Sequence, residues 1–249
     1  MYKISVTPED IEKLPLGAFP GEIVVVKRAG RDYNRAIAYL KAQKVIGFDT
    51  ETRPVFEPGK PHHHTALLQL SGPDKAYLFR IFKMGMRKRL CAILSNPEII
   101  KVGAAVHDDV RGLQYYTSFQ PEAFVDLQKI AWEWGIRDKS VKKLAANILG
   151  CRISKTQQLS NWEADSLSES QQMYAATDAW VCLEMYDKLL KSEKHPLTPE
   201  ELNPPQPQQE AAKKDAQAAD KPKKKKRPNH HRKSKPKVTD GQNNTEKGA

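Results

Sequence analysis

Of 249 residues, 41 are Lys or Arg and 30 are Asp or Glu, a formal net charge of +11, and residues 191–249 alone hold 15 of the basic and 8 of the acidic residues with 8 of the 17 prolines. That segment has no aromatic residue and only 9 apolar residues in 59, too few to offset the entropy of folding; we expect one globular domain over 1–190 and a disordered basic Pro/Lys-rich tail over 191–249. The longest aliphatic run, Ile23–Val26, excludes a bilayer-spanning helix, and the opening MYKISVTPED lacks the apolar stretch of a secretory signal.

Residues 23–26 (IVVV) and 45–48 (VIGF) read as short buried strands, and between them 32–43 carries Ile37 and Leu40 at helical spacing. Residues 66–70 and 75–79 read as two strands joined by the turn cluster Ser71-Gly72-Pro73-Asp74. A helix is expected over 86–94, and Pro97 separates it from a strand over 99–102. Beyond Gly103 the pattern is mostly helical, over roughly 109–117, 127–134, 140–149 and 168–190. Ser168-Glu169-Ser170-Gln171 opens the last helix as a capping box, whose side chains satisfy free first-turn N–H groups. Strands ahead of a helical half predict an α/β domain, either three-layered or with a sheet covered on one side.

Three stretches place carboxylates where chemistry is possible. Asp49-Thr50-Glu51 ends an otherwise apolar strand. Side chains alternate along a strand, so Asp49 and Glu51 share a side and repel unless cations offset them. A strand turning polar as it leaves the core, helped by Pro54, is the plainer reading. Tyr174 and Asp178 stand four apart on a helix and share a face; the plainer reading is a surface pair on a helix packed through Met173, Trp180, Val181 and Met185. Gly103-Ala104-Ala105-Val106-His107-Asp108-Asp109 joins a strand to a helix, where a carboxylate ordinarily serves as a cap or first-turn residue. Periodicity does not choose between Asp108 and Asp109.

Taken in order, GFDTETRP, ALLQL with AYLFRI, VGAAVHDDVRGL, LSNWEA and LSESQQMYAATDAW resemble the RNase D and Werner-type 3′–5′ exonucleases, in the tyrosine subclass of the DEDD superfamily. The resemblance covers about residues 22–190. It implies an RNase H-like fold, a mixed central sheet flanked by helices. It implies that Asp49, Glu51, Asp109 and Asp178 are the catalytic, metal-ligating acids. Asp109 rather than Asp108 is implied because the family acid directly precedes the segment matched by Val110-Arg111-Gly112-Leu113. Tyr174 is implied as the catalytic tyrosine. The histidine subclass places His five residues before the last acid, where Met173 stands, so His107 is not that histidine.

The activity so implied is hydrolysis of 3′-terminal phosphodiesters of DNA or RNA to 5′-mononucleotides, with two divalent cations, Mg²⁺ or Mn²⁺. One ion lowers the pKa of a water, and both stabilise the attacking and leaving oxygens; oxygen-rich ligands suit these ions. Tyr174 is expected to orient the water or hold the scissile phosphate, because a phenol with a reference pKa of about 10 is a poor proton acceptor. Two rivals are a catalytically silent nucleic-acid-binding module and a structure-specific endonuclease on the same fold. The complete set of acids tells against the first, and the Tyr-x-x-x-Asp helix against the second.

Pro61-His62-His63-His64 departs from the family; a solvated loop is preferred over a transition-metal or nucleic-acid site. Asn161-Trp162 is expected either to wall the active site or simply to bury the indole, and Asp126 to cap a helix. The run Lys221–Pro228 (KPKKKKRP) with the basic residues after it is read as an electrostatic arm for nucleic acid, or as a nuclear localisation signal in a eukaryotic source. Expected partners are nucleic-acid 3′ ends and a helicase or other repair or processing protein acting in trans, with no membrane. Cys91, Cys151 and Cys182 are too scattered for a disulfide framework or a zinc site. The expected location is therefore the cytoplasm, nucleoid-associated in a bacterium, or the nucleus in a eukaryote. DNA against RNA, and the oligomeric state, stay open.

Overall fold

The computed structural model describes residues 1–203; the basic run from Lys221 onward lies outside the described residues. Six strands, β1 (Glu22–Val26), β2 (Val45–Thr52), β3 (Thr65–Ser71), β4 (Lys75–Phe79), β5 (Ile100–Gly103) and β6 (Phe124–Asp126), form one sheet in the order β1-β4-β3-β2-β5-β6. Strand β3 runs antiparallel to β2 and β4, and the remaining pairs are parallel. The helices are α1 (Pro8–Glu12), α2 (Arg31–Lys41), α3 (Ile81–Met84), α4 (Lys88–Leu94), α5 (Val106–Gln114), α6 (Leu127–Ile130), α7 (Val141–Leu149), α8 (Glu169–Leu190) and α9 (Pro199–Leu202). This is the expected mixed sheet flanked by helices.

Alternation along the strands divides the core. Ile46 and Phe48 of β2, with Leu68, Leu70 and Phe79, join Ile37 and Leu40 of α2, Leu90 and Leu94 of α4 and Leu113 of α5 on one face. On the other face Leu67 and Leu78 meet Ala175 and Ala176 of α8, and Val102 meets Leu144 of α7 and Val181 of α8. Gly47 faces α8 so closely that a Cβ there would lie 1.9 Å from the Ala179 carbonyl oxygen. Only glycine lets the backbones of β2 and α8 meet in this way. The capping box at Ser168 forms as expected and starts the 22-residue α8.

Several boundaries differ from the sequence reading, each for a local reason. β2 continues to Thr52 because β3 pairs its polar end, Asp49 opposite Gln69 and Glu51 opposite Leu67. β6 has three residues, too few to show a period. The expected helix over 127–134 is α6 followed by a 3₁₀ turn, Ala131–Trp134. The folded unit also runs on to Asn203 rather than ending at 190. Trp134 Nε1 donates to the Ser192 carbonyl at 3.2 Å, and the Leu197 amide donates to the Trp132 carbonyl at 3.0 Å. Arg137 Nη1 donates to the Glu201 carbonyl at 3.0 Å, and Leu197 is buried. Composition averaged over the tail conceals this short anchored stretch.

Candidate active site

The acids converge because of how β2 meets α8. Gly47, Asp49 and Glu51 alternate toward α8, and the close approach at Gly47 brings Asp178, the residue before Ala179, down onto Asp49. One ligand atom each from Asp49, Glu51 and Asp178 lies within 4.8 Å of the others. Asp109 stands beside this triad rather than in it. Its Oδ1 accepts a hydrogen bond of 2.5 Å from Thr50 Oγ1, on the opposite face of β2. Its charge still acts on Asp49 and Glu51.

Asp108 and Asp109 are placed differently. α5 starts at Val106, three residues earlier than its periodicity suggests, and its N-cap Ala105 is left-handed with φ of 60°. Asp126 Oδ1 accepts from the Ala105 amide at 3.0 Å and from Gln128 N at 3.0 Å. One carboxylate therefore caps α6, as expected, and also pins the strand–helix junction. The result turns Asp109 toward β2 and leaves Asp108 in solvent beside His107.

Burial and crowding push every acid of the site toward its neutral form. Glu51 is raised to about 10, first by desolvation and then by the charges of Asp49, Asp178 and Asp109. Asp178 is raised to about 7 by burial, against a hydrogen bond from Tyr174 and the charge of Lys155. Asp109 is raised to about 6 by burial, held back by Thr50, and burial lifts Asp49 well above the usual carboxylate range. Four carboxylates ionise together here only if cations join them. The donor set, all carboxylate oxygen, fits a hard divalent cation such as those bound by oxygen ligands. Burial and the charges of Asp178 and Glu51 raise the Tyr174 phenol, so it stays protonated and offers a hydrogen-bond donor.

Tyr174, Asp49, Glu51 and Asp178 line a cleft of about 300 Å³, together with Lys142 and Lys155. Sequence reasoning missed both lysines. Lys142 carried a signal: it sits in the first turn of α7, which has no acidic residue there, although a helix N-terminus favours negative charge. Trp162 is fully buried, the second of its two expected roles, with its ring 5.9 Å from that of Tyr174. The three histidines diverge: His63 Nδ1 lies 3.1 Å from Glu163 Oε1, His64 stacks on Tyr115, and His62 is exposed. Among the described residues, the one group of His, Cys, Asp and Glu with metal-binding spacing is Asp49, Glu51 and Asp178.

Comparison with known proteins agrees with this geometry. Residues 28–193 match the model of a family described as 3′-5′ exonuclease. The chain is 33% identical over 195 residues to the mouse bifunctional 3′-5′ exonuclease/ATP-dependent helicase WRN, covering 72% of this chain and 13% of that protein. It is 28% identical over 177 residues to ribonuclease D of Gluconacetobacter diazotrophicus, covering 70% and 43%. The chain thus spans less than half the length of these relatives. The fold is shared with Escherichia coli RNase D (TM-score 0.60, 24% identity, 68% of this chain and 44% of that one). It is shared equally with the Nibbler EXO domain of Aedes aegypti (TM-score 0.60, 22% identity, 70% and 91%). With the family model covering about two thirds of its length, the chain belongs to the 3′-5′ exonuclease family.

Proposed function

We propose that the protein hydrolyses the 3′-terminal phosphodiester of DNA or RNA, releasing 5′-mononucleotides, with two divalent cations, Mg²⁺ or Mn²⁺. The observation that carries this reading is the desolvated carboxylate cluster at the junction of β2 and α8. Asp49, Glu51 and Asp178 would hold the cations, with Asp109 completing the set from the other side of β2. When bound, such cations supply Lewis acidity and an activated water at the phosphate.

The remaining steps belong to the chain's own residues. Lys142 and Lys155 line the cleft and offer positive charge to the phosphates that flank the scissile bond. The Tyr174 hydroxyl, kept protonated by its acidic surroundings, donates a hydrogen bond that orients the attacking water or the scissile phosphate. Trp162 packs beneath the phenol and fixes its ring. Thr50 holds Asp109 in place through its hydroxyl. The basic tail serves as an electrostatic arm, and a helicase or processing protein acts in trans. The site of action is the cytoplasm or, in a eukaryotic cell, the nucleus.

Digestion of 5′-labelled DNA and RNA, single- and double-stranded, with Mg²⁺ or Mn²⁺ tests the reading. A ladder shortening from the 3′ end, abolished by chelator, is expected. Cutting of circular substrates at a comparable rate would instead mark an endonuclease.

A further inference from the structure

The two elements that present Glu51 and Asp109 also build an exposed aromatic platform. The chain leaves β2 after Thr52 and returns to β3 through a loop whose last residue is His64. His64 stacks face to face on Tyr115, with ring centroids 3.5 Å apart and planes inclined by 12°. Tyr116 braces the pair edge-on, 5.4 Å from Tyr115 and 6.4 Å from His64. Its hydroxyl donates to the Thr65 carbonyl at 2.9 Å, which anchors the platform to the sheet.

Tyr115 remains 64% exposed, so its stack with His64 leaves most of an aromatic ring in water. Phe56, on the same loop, is 74% exposed. Of the cations on these elements, Arg53 pairs with Glu163 and Lys60 with Glu57, whereas Arg111 lies exposed one turn before Tyr115 on α5. Residues four apart on a helix share a face, so Arg111 and Tyr115 pair a phosphate ligand with a stacking surface. An aromatic ring beside an arginine is the chemistry that holds single-stranded nucleic acid without reading its sequence.

The rise along α5 sets the scale. Tyr115 continues α5 six residues beyond Asp109, about 9 Å along the axis at about 1.5 Å per residue. That equals two to three stacked nucleotide steps of about 3.4 Å. We infer that His64 and Tyr115 seat one base of the single strand upstream of the scissile bond, two to four nucleotides from the 3′ end, with Arg111 on its phosphate. The inference rests on the exonuclease reading and adds to it a requirement for a short unpaired 3′ segment.

The test uses the full chain in chelator, so that no hydrolysis occurs, and single-stranded oligonucleotides with 2-aminopurine at each of the first six positions from the 3′ end. Stacking quenches the probe. Quenching should peak between the second and fourth positions, beyond any quenching at the terminal nucleotide. Tyr115→Ala should lose that peak and weaken binding about 5- to 150-fold, the range for losing one base–aromatic stack. His64→Ala should weaken it as well, and Tyr115→Phe should keep both peak and affinity. With metal restored, the loss of kcat/KM in Tyr115→Ala should grow with substrate length from dinucleotide to octanucleotide. Equal affinities for Tyr115→Ala and the parent, as for a surface kept for a protein partner, would overturn the inference, and so would loss in Tyr115→Phe. A parent protein that degrades no oligonucleotide would instead refute the exonuclease reading itself.

Discussion

Replacing Asp178 by Asn should stabilise the metal-free protein while destroying its activity. The carboxyl rises from an ordinary 3.8 to about 7 in the folded state, through burial. Its stability contribution is fully present below pH 3.8 and is lost as pH rises to about 7. Three units at about 1.36 kcal/mol each place the cost of ionising it near 4 kcal/mol. Water entering the cleft offsets part of this, so a gain of about 2–4 kcal/mol is expected at pH 8 for a side chain that never ionises. In a domain of this size about 2–4 °C accompanies each kcal/mol, so the melting temperature should rise by at least about 4 °C. The amide oxygen still accepts the hydrogen bond of Tyr174, which limits what the substitution removes. Excess Mn²⁺ should narrow the gap, because a ligand at 100 times its Kd adds about 2.7 kcal/mol to the parent and less to a variant with one ligand weakened. Melting curves at pH 4, 6 and 8, in chelator and in Mn²⁺, provide the check. An Asn variant no more stable at pH 8, or an offset equal at pH 4 and pH 8, would refute the reasoning.

Asp109→Asn should lower exonuclease activity by orders of magnitude and Asp108→Asn by less than about threefold; the reverse ranking in a radiolabel assay would mean the second acid is misassigned. Tyr174→Phe removes one positioned donor and should cost about 10²-fold in kcat, with Mn²⁺ binding by calorimetry unchanged. Arg80 is fully buried, and its guanidinium spans the Ala164 and Asp165 carbonyls. Arg80→Lys loses that fork and should destabilise by about 1–3 kcal/mol in urea unfolding, the cost of a buried group left unpaired. Residues 205–249 carry 13 basic and 5 acidic residues, a net of +8. Their removal should flatten the dependence of log affinity on log salt, by about 0.7–0.9 for each phosphate the tail neutralises, and leave kcat unchanged; equal slopes would dismiss the electrostatic arm.

Much of the site was legible because it obeys simple periods. Alternation alone places Asp49 and Glu51 together, and the spacing of four places Tyr174 over Asp178. Asp109 was not legible from period, because its orientation depends on where α5 begins. That start is set by a left-handed Ala105 held from residue 126, a hydrogen bond between positions 21 apart. Nor does any local pattern announce that Gly47 is the point where α8 touches the sheet, although glycine in a strand often marks close backbone approach. Lys155 and the stack of His64 on Tyr115 come from loops, whose paths depend on tertiary packing. The end of the folded unit was misplaced for a related reason: three hydrogen bonds hold residues 192–201 where composition alone reads as tail.

Gly47 has a mechanical consequence. Asp49 and Glu51 on β2 face Asp178 on α8, so the spacing of the two backbones sets the spacing of the acids. That spacing is as small as it is because the Ala179 carbonyl packs against the bare α-carbon of Gly47. Main chain bearing on main chain has no rotamer with which to yield. The glycine therefore acts as a spacer of zero thickness: any side chain at 47 would part strand from helix and carry Asp49 and Glu51 away from Asp178.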